Sequence, residues 1–142
     1  MSIEELMEAV AAEVRKVPAL YDTPAIVEDL GDVTNEIERH FGKSSRCIIV
    51  MFAGCEPVKQ GAGTLVENVK LAVRCYDKPS LTRVEKVGLT LLGMAQEIAA
   101  GLQGAKAPGM ACCLFYRGIS GITQHTRDLV SCDVFFETKI IT

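Results

Sequence analysis

The sequence predicts an α+β fold: a four-stranded, mainly antiparallel sheet in the order β-β-α-β-β, with an N-terminal helix and one long helix packed on it. Three observations carry that expectation. Thr64–Tyr76 and Leu129–Ile141 alternate apolar and polar residues with the period of a half-buried strand. Val84, Val87, Leu91, Ala95, Ile98 and Leu102 recur at helical spacing. Cys47–Ala53 is almost wholly apolar, rich in β-branched residues and too short for a helix, which predicts a central strand covered on both faces.

Composition narrows the class. The 142 residues fit one domain spanning 1–142. A chain of that length buries roughly 70% of its unfolded surface. With 49% apolar and 23% charged residues it is expected to fold rather than remain disordered. A net charge of −3 argues against nucleic acid as the main partner, because neutralising phosphates needs a basic face. No run of like charges forms a polybasic membrane patch, and no apolar stretch approaches the ~18 residues of a membrane span.

Six cysteines occur, at positions 47, 55, 75, 112, 113 and 132. They sit within apolar strand patterns, and no secretory signal is evident. Free thiols in a reducing cytoplasm are therefore expected rather than a disulfide framework. Met1–Val17 carries Glu4, Glu5, Glu8 and Glu13 on an amphipathic pattern, unlike a signal peptide.

The elements follow in order. Ser2 and Glu5 have capping-box spacing, and Ile3, Leu6, Val10, Val14 and Val17 form a helical stripe, predicting a helix over about 3–17 ended by Pro18. Arg15 and Lys16 suit the negative end of its dipole. Pro24–Val27 is expected as a short edge strand. Asp32 caps a predicted short helix reaching Phe41, stopped by Gly42.

Gly54–Gly63 is expected as a loop before the alternating strand Thr64–Tyr76. In that strand Val69, Leu71, Val73 and Cys75 share one face. Thr82–Glu85 is a second capping box, predicted to open the long helix that stops at Gly104. Gly88, Gly93 and Gly101 each cost about 1 kcal/mol relative to alanine there, which points to close packing. Met110–Arg117 is the third predicted strand and Leu129–Ile141 the fourth, joined by a long loop, Gly118–Asp128, of the kind that makes contacts.

Candidate chemical sites are weak in this chain. The 54–64 loop lacks the Gly-Lys-Ser/Thr order and the following helix of a phosphate loop. Cys112 and Cys113 with His125 suggest a nucleophile and base, but neighbouring strand residues face opposite ways and buried cysteine is the commoner state. No Cys-x-x-Cys or His-x-x-x-His spacing is present, so no metal site is expected. His40 and His125 read as ordinary polar residues. The carboxylates Glu4, Glu8, Glu36 and Glu38 read as solvated helix faces. No catalytic residue and no cofactor are assigned.

The layout resembles the tail terminator, or tail-completion, proteins of tailed bacteriophages, in the Mu-like contractile-tail branch. The resemblance is carried by Pro24–Val27, by Thr64–Tyr76 and by Asp128–Ile141, and it extends over most of the chain as an order of elements. It implies a non-enzymatic virion protein of the tail and neck, assembled in the host bacterial cytoplasm. Such a protein forms a ring, a hexamer, on the end of the tail tube. It stops tube growth, touches the last sheath ring in contractile tails, and offers a docking surface to the neck or head connector.

Similar folds occur in tail tube subunits and head–tail joining proteins, which are the neighbouring alternatives. The implied partners are copies of the chain itself, the tube and sheath proteins and the connector, with neither nucleic-acid recognition nor a membrane. Interface residues expected on this basis are Phe52, Phe115 and Phe135 as buried anchors, with Lys59, Arg117, His125 and Arg127 around them. A rival of a different class is a small cytoplasmic thiol-dependent enzyme or ligand-binding domain.

Overall fold

The computed structural model describes residues 1–20, 23–28, 45–58, 63–79 and 89–141. Helix α1 covers Ile3–Arg15. A 3-10 turn, Pro18–Leu20, leads to β1, Ala25–Val27. Strand β2 is Arg46–Pro57 and β3 is Val66–Asp77. Helix α2 is Leu91–Leu102. Strands β4 (Phe115–Ile119), β5 (Thr123–Thr126) and β6 (Leu129–Ile141) complete the chain.

The class is α+β, but the sheet is larger than the four antiparallel strands expected. Among the described residues it has six strands in the order β1-β2-β3-β6-β4, with β5 also on β6. It is mixed, because β1 runs parallel to β2. The short edge strand at Ala25–Val27 and the last strand, Leu129–Ile141, lie where the sequence places them.

Local chemistry sets the helix ends. Ser2 accepts a hydrogen bond from the Glu5 N–H at 3.1 Å, the first half of the capping box. The helix ends at Arg15, two residues before the expected stop, and Pro18 begins the 3-10 turn instead. Arg15 does more than meet the dipole: its guanidinium donates to the Ala25 carbonyl at 2.7 and 3.1 Å, tying α1 to β1.

The long helix expected from Thr82 is corrected. Thr90 has extended backbone, and its side chain accepts from the Gly93 N–H, so Thr90 caps a separate helix starting at Leu91. The capping box at 82–85 and the helix expected at 32–41 lie outside the described residues.

Both helices pack on one face of the sheet, α1 over β1 and β2, α2 over β3 and β6. The core there joins Leu6, Val10 and Val14 of α1 to Met94, Ile98 and Leu102 of α2. Beneath them lie Ile48, Val50, Val69, Leu71, Val73, Cys75, Val134 and Phe136. Close packing at Gly101 is real: a Cβ there would lie 2.9 Å from Val17 Cγ2. At the end of this face Arg46 Nε meets Asp77 Oδ1 at 3.4 Å, both nearly fully buried.

Two further expectations change at the strand ends. The 54–63 loop is shorter than expected, since β2 runs on to Pro57 through a bulge between Phe52 and Gly54. Gly54 has φ +127°, a conformation open to glycine, and the extra residue is absorbed there.

The expected third strand, Met110–Arg117, begins only at Phe115. Met110–Leu114 folds over the end of α2, with the Leu114 N–H on the Ala105 carbonyl and the Gly104 N–H on the Leu114 carbonyl. The expected loop Gly118–Asp128 is mostly strand. Residues 115–126 run antiparallel to β6 as one arm with a break at 120–122, bulged between Tyr116 and Gly118, and turn at 127–128.

Phe136 is fully buried where β3, β6 and β4 meet, with its ring centroid 6.2 Å from that of Tyr116. Phe136→Ala is expected to destabilise the fold by about 3–5 kcal/mol in urea unfolding. The exposed Leu92→Ser is expected to stay within about 0.5 kcal/mol.

Candidate functional site

The face of the sheet away from the helices has two halves. Toward one end Cys47, Ile49 and Tyr76 are buried, with Ile26, Met51 and Leu129 packed on them. This is the part of β2 buried on both faces, as the apolar run predicts. From Met51 onward β2 is more open, so the covering of that run is partial.

The other half is a lattice of paired charges. Arg74 grips Asp133 through two bonds, Nε to Oδ1 at 2.7 Å and Nη2 to Oδ2 at 3.2 Å. Lys70 meets Glu56 at 3.3 Å, Asn68 meets Glu137 at 3.5 Å, and Arg117 meets Glu137 at 3.1 Å. The Arg74–Asp133 pair follows directly from register, since the two stand opposite one another, whereas Lys70 stands opposite Glu137 but reaches diagonally to Glu56. The hydrogen bonds to Asp133 raise the Arg74 pKa above its ordinary value, against the opposing effect of burial. Arg74 therefore stays charged at any working pH.

Phe135 lies half-buried beside this lattice, in a shallow hollow of about 330 Å³ lined by Ala53, Lys70, Arg117 and Glu137. The two bulges flank it, Ala53 on β2 and Arg117 on β4. Phe115 stands on the edge strand opposite Glu137, 54% exposed. Arg117 and Phe135 are thus brought together, with Phe115 further along the ladder.

Phe52 is 41% exposed at the opposite side of the sheet. It lines an apolar groove of about 370 Å³ with Ile3, Met7 and Val27, and Glu4 and Glu28 supply its acidic groups. Glu28 Oε2 also accepts the Phe52 N–H at 3.3 Å. Arg127 is exposed in the turn between β5 and β6, and Lys59 lies outside the described residues.

His125 is exposed and bonded within the chain. Its Nε2 lies 2.6 Å from Ser131 Oγ, and its ring tilts against Tyr76 with centroids 5.5 Å apart. That arrangement clips β5 onto β6. The thiol–histidine pairing weighed from the sequence is not assembled. Cys112 sits by Thr138, which donates to its carbonyl at 3.2 Å. Thr138 and Ser131 lie roughly 23 Å apart along one strand at the rise of a β residue.

Ser131 with His125 has the spacing of a nucleophile and base. The nearest carboxylate on that face, Asp133, is held by Arg74 and does not orient the imidazole. Among the described residues no group of three or more His, Cys, Asp or Glu is placed to hold a metal, and no helix is long and apolar enough to cross a membrane.

Leu65, Tyr116, Ile122 and Ile141, none of them expected from the sequence, are exposed apolar side chains at 39–54%. For Ile141 the signal was available. It follows inward Ile140, so an apolar residue occupies the face that alternation reserves for polar ones.

What this geometry defines is a helix-backed mixed sheet whose other face is charge-paired and whose edges carry exposed aromatics. A solved chain from the virion of a native gene transfer agent particle has the same fold. It matches with a TM-score of 0.60 at 12% identity, over 96% of this chain and 95% of that one. No protein-family model and no curated protein matches the sequence. At that identity the likeness is one of fold.

The Arg74–Asp133 pair is part-buried and bidentate, which favours a real coupling. A double-mutant cycle with Arg74→Met and Asp133→Asn is expected to give about 1–2 kcal/mol of coupling in urea unfolding. The exposed Lys70–Glu56 pair is expected to give under about 0.5 kcal/mol in the same measurement.

Proposed function

We propose that this protein is a structural component of a phage-like virion, and within that class a tail terminator. In this role it forms a ring on the end of the tail tube, meets the last sheath ring where the tail is contractile, and presents a surface to the neck connector. One observation carries the reading: the likeness to the gene transfer agent virion chain spans nearly the whole of both chains. It is not a shared fragment. The terminator role itself rests on the order of elements seen in the sequence.

The surface chemistry fits a ring of identical copies. One lateral side of the sheet has the apolar groove at Phe52 with its acidic groups. The other has Phe115, Tyr116 and Arg117 on β4. Four strand spacings, roughly 19 Å, separate β1 from β4. Unlike surfaces on opposite edges make a head-to-tail contact, which gives a ring where the rotation closes. In this reading Phe115 of one copy enters the groove of the next, and Arg117 faces Glu4 and Glu28 there.

Two experiments test the proposal. In a particle whose gene for this chain carries an early stop codon, tubes are expected to grow past normal length and to lack heads by electron microscopy. Normal tails with heads overturn the terminator role, and failure to form any tube points to a tube subunit. For the ring contact, Arg117→Glu is expected to abolish hexamers on isolated tubes. Glu4→Lys in the same chain is expected to restore them, as read by sedimentation. Undiminished assembly by Arg117→Glu overturns the contact.

A further inference from the structure

Cys75 of β3 and Cys132 of β6 stand directly opposite one another in the antiparallel ladder. Both lie on the helix-facing side, 0% and 1% exposed, and both are free thiols. Opposed residues in such a ladder have Cα atoms about 4.5 or 5.5 Å apart, depending on the pair type. Both values fall within the range that a disulfide spans without backbone movement, about 4.4–6.8 Å. The other cysteines are placed differently. Cys47 is buried on the opposite face, Cys55 is exposed, and Cys112 and Cys113 are half-buried in the irregular segment before β4.

We propose that Cys75 and Cys132 form a cross-strand redox pair, closed to a disulfide by a small hydroperoxide. The thiolate of one of the two attacks the peroxide oxygen, giving its sulfenic acid and, after protonation, one water. The other sulfur then attacks the oxidised one, and the S–S bond forms as a second water leaves. In sum two thiols and one hydrogen peroxide give one disulfide and two waters.

The two thiols act on one another's ionisation: their mutual contact lowers the Cys132 pKa and, with burial adding to it, raises that of Cys75. Access comes from position. The pair lies close to one end of the β3–β6 ladder, whose last register pair there is Asp77 with Val130. Both thiols are buried, so oxidation waits on opening of this end of the sheet.

The bridge would join strands held apart by roughly 60 residues of chain, so it constrains the unfolded state strongly. A particle leaving a reducing cell enters the conditions in which such bridges persist. The bridging chemistry itself does not depend on the virion reading.

The test treats the reduced, full-length protein with hydrogen peroxide, blocks remaining thiols in denaturant, and maps the unreduced digest by mass spectrometry. The expected result is a Cys75–Cys132 peptide pair two hydrogens lighter than its thiol form, with Tm raised by roughly 10 °C and restored by dithiothreitol. The variant Cys55→Ser/Cys112→Ser/Cys113→Ser is expected to bridge equally well. The proposal is overturned if Cys75 and Cys132 both still take the blocking reagent, if bridges form only among the other cysteines, or if the bridged protein melts lower than the reduced one.

Discussion

The fold depends on one constraint, the register of β3 against β6. Twelve pairs, from Val66 with Ile141 to Asp77 with Val130, run without a shift. These strands lie at the middle of the sheet, so β2 is hydrogen-bonded to one and the β4–β5 arm to the other. α2 lies over both. A slip of one residue would turn Val69, Leu71, Val73 and Cys75 to the charged face, and Arg74 and Lys70 into the core. The register therefore sets at once the apolar floor beneath the helices, the ionic lattice on the other face and the juxtaposition of the two central cysteines. It is also non-local, because its partners lie far apart in sequence. Its formation must overcome loop closure before packing rewards it.

What the sequence made legible follows from that constraint. β3 and β6 alternate over most of their length, with Phe135 and Ile141 out of phase, and their inward faces were readable residue by residue. So were the capped start of α1 and the edge position of Ala25–Val27, where a proline stands at the entry. The misreadings cluster where periodicity is locally overridden. Gly54 and Gly118 suggest loops, yet each is the permissive residue of a bulge inside continuing pairing. Thr123–Thr126 is polar at every position, and only its pairing with β6 makes it a strand. The stripe running through Leu91 conceals a helix start, because an apolar period does not record the extended backbone at Thr90. Of the surface residues, Phe135 could be read as an apolar residue out of phase with its strand. The bond from His125 to Ser131 could not, since it depends on how the β5 arm folds back.

The two bulges link the fold to its surface. They fall at the same level of the sheet: Phe52 pairs with Leu71, Leu71 with Phe136 and Phe136 with Tyr116, and the extra residues follow just beyond this row. Bulges increase local twist and redirect side chains. Here they place Ala53 and Arg117 on either side of Phe135 and leave Phe52 and Phe115 exposed near opposite sides of the sheet. Exposed strand edges invite pairing with other chains. On this molecule the two sides differ in chemistry, which disfavours a two-fold dimer and suits a directional, repeating contact.

Directional contacts alone do not distinguish a ring that ends a tube from a subunit that extends one. The charged face bears on this. Two of its cations are matched to carboxylates within the chain, Arg74 with Asp133 and Lys70 with Glu56, while Arg117 also lies at the lateral edge and Lys139 is exposed. Charges paired in this way would have to be desolvated without new partners if an identical ring were stacked on them, and that costs free energy. A subunit built to stack indefinitely would instead be expected to leave complementary charges open on its stacking faces. Lateral sides that bear unlike apolar surfaces suit a directional contact between copies, whereas stacking on the other face would first have to desolvate the bidentate Arg74–Asp133 pair.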